Sequence, residues 1–443
     1  MTRIRLAISA VSLLALSGAV ACAAAADAVA EIAAHRHQGV ATCSSSTCHG
    51  ATQPFRDSNV QQNEFSRWQE YDPHATRAWQ VLGSAEGQAI ARKLGLGDAT
   101  AARVCLDCHA DNVPDAMRGE RFQLSDGVGC EACHGGAEQW ISSHADKSAS
   151  HADNLARGLY PTEDPVRRAE LCLSCHMGVP ERMITHRIMG AGHPRLSFEL
   201  DTFTWINPHY EIDEDYIQRK GEFNGLRDWG VGQGVAAANL LDILLSDQHG
   251  WNGIFPELVL FDCHACHRRM DGNRWGPRQG TGLGPGVVRL NDANLVMFRH
   301  VLAAVDTGAA QRIMERTRDL HRATTTSREA TRLAAQQLRT DIGGLLPRVA
   351  THDFGPQSMS QILDSLLRDA DRGEYRDFAA AEQAAMAASS VVVAFETAGS
   401  LEAERAETLR TRVDALYARA EDGERYDMQS FIAALRALRG AAP

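Results

Sequence analysis

Ten of the 11 cysteines of this 443-residue chain lie in five pairs, and each pair is followed directly by a histidine. Four pairs have two residues between the cysteines, and the first pair has four. The repeat constrains the fold because two thiols and an imidazole must lie side by side at five places. We number these places sites 1 to 5: Cys43/Cys48/His49, Cys105/Cys108/His109, Cys130/Cys133/His134, Cys172/Cys175/His176 and Cys263/Cys266/His267.

The Cys-x-x-Cys-His pattern predicts covalent attachment of haem c. Two thiols at this spacing can bond to the two vinyl groups of one porphyrin, and the adjacent imidazole then becomes an axial ligand of the iron. A zinc ribbon, the first alternative, requires thiol pairs but no histidine directly after each of them. A thioredoxin-like redox site has a single Cys-x-x-Cys beside a βαβ pattern. We therefore predict five haem c groups, with the cysteines as thioether ligands and the five histidines as proximal ligands.

Site 1 departs from the pattern, because three serines and a threonine separate Cys43 from Cys48. These side chains are small enough to bulge outward while the two thiols keep the spacing of the vinyl groups. A Cys-x₄-Cys-His variant occurs among multihaem cytochromes, so we predict haem here as well. The alternative is a surface loop in which His49 binds nothing.

The N-terminal residues 1–26 predict a cleaved secretory signal. Arg3 and Arg5 precede an apolar run over residues 6–20, and a small-residue tail follows. Cys22 could instead carry a lipid, but the residue three positions before it is not leucine-like. No later apolar run is expected to span a bilayer. We predict an exported, periplasmic chain.

The formal net charge of −11 at pH 7 bears on the partners of the chain. Loss of the two arginines of the signal and addition of haem propionates would make the charge more negative. A negative field argues against nucleic acid as a partner and favours redox proteins with basic docking surfaces. Solubility alone is the simpler explanation of the charge.

The distribution of motifs predicts a mainly α protein in two parts. Residues 27–270 contain all five sites and many short turns, which predicts a pentahaem domain with few regular strands. Residues 271–286 are rich in glycine and proline and predict a linker. Residues 287–443 have no cysteine and show apolar stripes at helical spacing, such as Leu295, Phe298 and Leu302. They predict a separable helical bundle whose stripes form its core or, alternatively, a docking groove.

Low-spin haems in electron carriers usually have a second axial ligand, which five sites must find elsewhere. His144 follows site 3 across two glycines, so it could reach its own haem or a neighbouring one. Methionines after site 4 are alternatives that would raise the potential relative to a histidine pair. The predicted distal ligands are His74, His144, His186 and His193. The other histidines, His209 among them, are more typical of ordinary surface or core positions.

Two stretches of the chain resemble the cytochrome c-554 family of multihaem electron carriers. They are WQEYDPHATRAW and GVGCEACHGG with the histidine that follows it, within a resemblance that covers roughly residues 40–200. The resemblance implies haems packed edge to edge and bound mostly by two histidines, with His74 and His144 at distal positions. The chain departs from the four-haem carrier in its five motifs, its first spacer and its long C-terminal extension. Family relatives can also keep one haem five-coordinate.

Two classes of function fit these motifs. The first is a periplasmic cytochrome that transfers single electrons between redox partners, with no catalytic residue. The second is a multihaem oxidoreductase in which one haem with an open axial position acts on a small nitrogen or sulfur compound. None of the five motifs replaces its histidine with the lysine found in ammonia-forming nitrite reductases. The sequence therefore favours the electron carrier.

Overall fold

The structure is a computed structural model that describes residues 24–53, 60–206, 209–221, 223–267, 278–284 and 286–442. Most of the predicted signal, including Cys22, lies outside the described residues, as do residues 271–277 and 285 of the predicted linker. The prediction of a mainly α fold with few regular strands is confirmed.

Short helices dominate the first half of the chain, and longer ones the second half. The α-helices are α1 (Ala24–Ile32), α2 (Glu64–Tyr71), α3 (Thr76–Gly83), α4 (Ala85–Leu94), α5 (Arg103–His109), α6 (Glu131–His134), α7 (Ile141–His144), α8 (His151–Ala156), α9 (Pro165–His176), α10 (His186–Ala191), α11 (Leu200–Ile206), α12 (Glu214–Lys220), α13 (Gly225–Leu245), α14 (Cys263–Cys266), α15 (Ala293–Val305), α16 (Thr307–Ala323), α17 (Arg328–Ala350), α18 (Pro356–Asp371), α19 (Phe378–Thr397), α20 (Ala403–Tyr417) and α21 (Met428–Ala441). Short 3₁₀ turns lie at Val40–Thr42, Asp115–Met117, Leu124–Asp126, Leu258–Leu260, Gln279–Thr281 and Glu374–Arg376.

The sheet of the described chain is one hairpin. Strands β1 (Trp251–Asn252) and β2 (Phe255–Pro256) are antiparallel, with Trp251 opposite Pro256 and Asn252 opposite Phe255. Nearly all the regular backbone hydrogen bonds of this protein are therefore helical.

The motifs of sites 2 to 5 lie on helical turns. Helices α5, α6 and α9 each end at the motif histidine, and α14 spans the two cysteines of site 5. Residues three apart lie on the same face of a helix, so each turn presents both thiols to one side. Helix α9 begins with Pro165 at its first position, and the Asp164 carboxylate accepts hydrogen bonds from the amides of Val166 and Arg167. These residues fix where α9 begins.

One apolar core extends from Ala169 to Leu438 and includes α9, α13 and the C-terminal helices. Helix α13 packs against α17 on one side and α9 on another. A methyl group on Gly234 of α13 would come within 2.7 Å of Leu346 and Phe298, so glycine permits the close approach of these helices. The core is therefore shared across the predicted boundary at 271–286, and the separability of residues 287–443 stays a prediction.

The described part of the predicted linker contains a buried arginine. Arg278 is 3% exposed and forms ion pairs with Asp292 and with Asp377, whose Oδ2 is 2.9 Å from Nη1. Arg289 pairs with Asp377 as well and reaches Asp262, the N-cap residue of α14, at 2.6 Å. Buried charges thus connect site 5 to the C-terminal helices.

Helix α19 is long and apolar enough, by length and composition alone, to cross a membrane. The sequence-based expectation that no later apolar run has this length was therefore wrong for residues 378–397. In the structure, 72% of its 18-residue apolar stretch is buried inside the protein, and α15, α18 and α20 pack around it. Packing inside the protein accounts for its composition.

Candidate functional site

Each of the five motif histidines faces a second histidine from elsewhere in the chain. We call these the histidine pairs and number them by site. The distances between ring centres are 6.2 Å for His49–His144, 6.4 Å for His109–His193, 6.5 Å for His134–His209, 5.7 Å for His176–His74 and 6.0 Å for His267–His186. Beside each pair lie the two thiols of its motif.

The separation of the rings fits a metal ion bound between them. Two metal–imidazole bonds of about 2 Å each, with about 1 Å from each nitrogen to its ring centre, require about 6 Å between ring centres. In pair 4 the two Nε2 atoms face each other at 3.4 Å. Two bonds of about 2 Å need about 4 Å between the nitrogens, so the rings of pair 4 must separate by a few tenths of an ångström to admit iron. The residues therefore fit an axially ligated haem iron at each site.

All four histidines predicted as distal ligands lie in the histidine pairs. His74 faces the motif histidine of site 4, and His193 faces that of site 2. His144 follows site 3 in sequence but reaches site 1, where its ring is nearly parallel to that of His49. His186 faces the motif histidine of site 5. Their ligand roles stay predictions that spectra of variants would test.

The sequence did not single out His209, which the structure places opposite His134. It lies in the segment between α11 and α12, far along the chain from site 3. The sequence indicated a further ligand only by number, because four predicted distal histidines cannot serve five sites. Nothing local distinguishes His209 from the other unassigned histidines.

Several of the other histidines have partners typical of the protein interior. His37 is fully buried, with Nδ1 2.7 Å from Oδ2 of Asp111 and Nε2 3.0 Å from the carbonyl oxygen of Ile32. Burial lowers the pKa of His37, but the hydrogen bond and charge of Asp111 outweigh this effect and raise it overall. His300 lies between the hydroxyl groups of Ser365 and Tyr375, and burial lowers its pKa to about 3. Both nitrogens of each of these rings thus have a partner other than a motif histidine.

Hydrogen bonds to Nδ1 orient several rings of the histidine pairs. An Nδ1–H that donates to an oxygen fixes the tautomer and leaves Nε2 free to bind a metal. The Nδ1 contacts are His49 with Glu64 Oε2 at 3.0 Å, His74 with Asp72 Oδ1 at 2.9 Å, His109 with the Ala78 carbonyl at 3.0 Å, His144 with the Ile141 carbonyl at 2.6 Å and His193 with the Pro194 carbonyl at 2.8 Å. These partners prepare the rings for ligation.

Burial also favours the neutral form of two motif histidines. It lowers the pKa of His134 and that of His176 to about 4, with smaller contributions from neighbouring histidines. Neutral imidazole is the form that binds a metal. The ring of His176 is stacked on Phe198, with 4.3 Å between ring centres. Both side chains are therefore neutral at pH 7, which is the form that can bind a metal.

The sites touch one another through their own residues. Contact between the thiols of Cys43 and Cys130 lowers the pKa of Cys43 and raises that of Cys130, so sites 1 and 3 lie side by side. Contact between the thiols of Cys108 and Cys175 likewise raises the pKa of Cys108 and lowers that of Cys175, so sites 2 and 4 lie side by side. Since a porphyrin is attached through such thiols, groups bound at these sites would have adjacent edges.

Two further contacts complete the neighbourhood of the sites. The Asp72 carboxylate lies between pairs 3 and 4, with Oδ1 2.9 Å from Nδ1 of His74 and Oδ2 3.7 Å from Nδ1 of His209. His186 is the first residue of the short helix α10 and His193 lies two residues after its end, so pairs 5 and 2 share one segment. Every site thus has at least one neighbouring site.

Residues 42–135 match the family model described as cytochrome c554 and c-prime. The matched stretch contains sites 1 to 3 and His74, and it is about a fifth of the chain. No curated protein and no solved structure gives a significant match. The chain resembles the c554 family of c-type cytochromes over this stretch, which supports haem c as its cofactor and electron transfer as its activity.

Proposed function

We propose that this protein is an exported, periplasmic electron carrier with five haem c groups, each bound between two histidines. The observation that carries the proposal is that all five motif histidines face a second histidine at 5.7–6.5 Å. When bound, haem c supplies one-electron redox chemistry, and an iron with two histidine ligands has no open position for a substrate. The chain's own residues would ligate the iron and orient the ligands.

The contacts between sites support a linear order of electron transfer. Thiol contacts join site 1 to site 3 and site 4 to site 2, Asp72 lies between pairs 3 and 4, and α10 joins pairs 2 and 5. Electron transfer slows steeply with the distance between cofactor edges, so neighbouring sites exchange electrons fastest. The proposed order is site 1, site 3, site 4, site 2 and site 5.

The two ends of this order include exposed residues of the motifs. Cys48 of site 1 and Cys266 of site 5 are exposed, whereas the cysteines of sites 2, 3 and 4 are all only partly exposed. Electron donors and acceptors would therefore exchange electrons at sites 1 and 5. The acidic net charge of the chain favours partners with basic docking surfaces.

Paramagnetic resonance and absorption spectra of the oxidised protein test the ligation. We expect five low-spin ferric signals and no high-spin signal, because each iron has two strong-field nitrogen ligands. Addition of cyanide or nitrite should leave the spectra unchanged. A stoichiometric high-spin signal would contradict the proposal and favour the oxidoreductase with one open haem.

Mass spectrometry of the exported protein tests the number of haems. We expect the mass of the chain without its signal plus five haem masses, because each motif supplies two thiols for thioether bonds. A variant with both Cys43→Ser and Cys48→Ser should lose one haem mass. If the unaltered protein carried only four haems and this variant lost none, site 1 would be the surface loop that its four-residue spacer allows.

A further inference from the structure

The Asp72 carboxylate is a buried charge that two histidine pairs share. The Asp72 side chain is 5% exposed, and Asp72 is the C-cap residue of α2. Oδ1 accepts hydrogen bonds from the amide and the Nδ1 of His74, both at 2.9 Å, and Oδ2 lies 3.7 Å from Nδ1 of His209. The second distance is an ion-pair distance rather than a hydrogen bond.

The two imidazoles in contact with Asp72 belong to different sites. His74 faces the motif histidine of site 4, and His209 faces that of site 3. The partner of Glu64, by contrast, belongs to site 1, because Oε2 of Glu64 lies 3.0 Å from Nδ1 of His49. Among the described residues, Asp72 is therefore a carboxylate shared by two sites, and Glu64 is a carboxylate hydrogen-bonded to the histidine of a single site.

We propose that Asp72 is a positioning residue that sets the reduction potentials of sites 3 and 4 together. The inference rests on the proposed function, in which both histidines ligate iron. A carboxylate beside Nδ1 makes the imidazole a stronger donor, and its negative charge stabilises the ferric state over the ferrous state. Asp72 therefore lowers the potential of both sites. These two sites are the second and third positions of the proposed electron path, so one charge acts on both.

The electron balance of this step is simple. One electron leaves the ferrous iron of one site and reduces the ferric iron of the next. Asp72 neither gains nor loses a proton during the transfer, because its effect is that of a fixed charge.

Redox titration of the Asp72→Asn holoprotein, followed by paramagnetic resonance, tests the inference. Asparagine keeps an oxygen that accepts the amide hydrogen bond of His74, so the turn that follows α2 is retained. We expect the reduction potentials of two haems to rise. At a given applied potential, the ratio of ferric to ferrous iron should fall about tenfold at each of these haems. A tenfold change corresponds to about 59 mV for one electron. His74→Ala and His209→Ala identify the signals of sites 4 and 3.

Glu64→Gln is the matched control, because it removes a carboxylate that is hydrogen-bonded to the histidine of one site. We expect it to raise mainly the potential of site 1. Asp72→Ser removes the same charge as Asp72→Asn with a different shape, and it replaces that variant if asparagine prevents haem loading. Two haems shifting upward in the Asp72 variants supports the inference.

Other results overturn the inference. If the potential of only one haem shifted, Asp72 would act on His74 alone. If neither potential shifted, Asp72 would have only a structural role at the end of α2. Failure of the proposed function is distinguishable, because the unaltered protein would then lack the low-spin signals of sites 3 and 4 before any variant is made.

Discussion

Replacement of His209 with alanine is expected to convert one of five low-spin haems to a high-spin or water-ligated form. The thioethers from Cys130 and Cys133 and the bond from His134 remain, so the haem mass should not change. Loss of a nitrogen ligand weakens stabilisation of the ferric state, so the potential of that haem should rise. Paramagnetic resonance and a redox titration measure both effects.

The same variant should slow electron transfer through the whole protein. Site 3 lies between sites 1 and 4 in the proposed order, so an altered potential there affects each electron that crosses the chain. Stopped-flow reduction of the terminal haems measures the rate. His352→Ala is the control, because His352 lies between α17 and α18 and its Nε2 contacts the Ser358 hydroxyl rather than a motif histidine. If His209→Ala retained five low-spin signals, pair 3 would not ligate iron.

Replacement of Arg278 with methionine is expected to destabilise the protein by about 3–5 kcal/mol. The change removes the cation that three buried carboxylates share, those of Asp292, Glu374 and Asp377. Buried carboxylates without a counter-charge are costly, whereas a whole ion pair can be replaced by apolar groups at little cost. Urea unfolding followed by helical circular dichroism measures the loss.

Arg436→Met is the matched control for this effect. Arg436 pairs with Asp371, but its side chain is 64% exposed, and exposed ion pairs contribute about 0–1 kcal/mol. The two variants remove the same charge from buried and exposed surroundings. A loss below about 1 kcal/mol for Arg278→Met would mean that water reaches the carboxylates and that the segment after residue 277 behaves as the linker predicted from its composition.

The chemistry of the sites is visible in the sequence because it is local. A helical turn brings thiols three residues apart to the same face, and the next residue is the histidine. The sequence also predicts four of the five opposing histidines: His144 and His74 from their local sequence together with the resemblance, and His186 and His193 from their closeness to site 4. Helical stripes such as Leu295, Phe298 and Leu302 are buried in the structure, because their spacing follows the helix period.

The composition of α13 disfavours the helix that the structure shows there. Its sequence GVGQGVAAANLL is rich in glycine, which disfavours isolated helices by about 1 kcal/mol per residue relative to alanine. In the folded protein, a methyl group on Gly230 would come within 2.9 Å of Val301, and one on Gly234 would crowd Leu346. Close helix packing outweighs intrinsic propensity here, and it places the central helix of the C-terminal core before the predicted linker.

By itself, the sequence determined the five motifs, the mainly helical class and the acidic character of the chain, because each depends on neighbouring residues or on composition. Only the tertiary structure decided which histidines oppose one another, that His209 faces His134, and that Asp72 lies between two sites. His144 follows site 3 yet reaches site 1. Such pairings join residues far apart in the chain, and the packing of the helices that carry them sets these contacts.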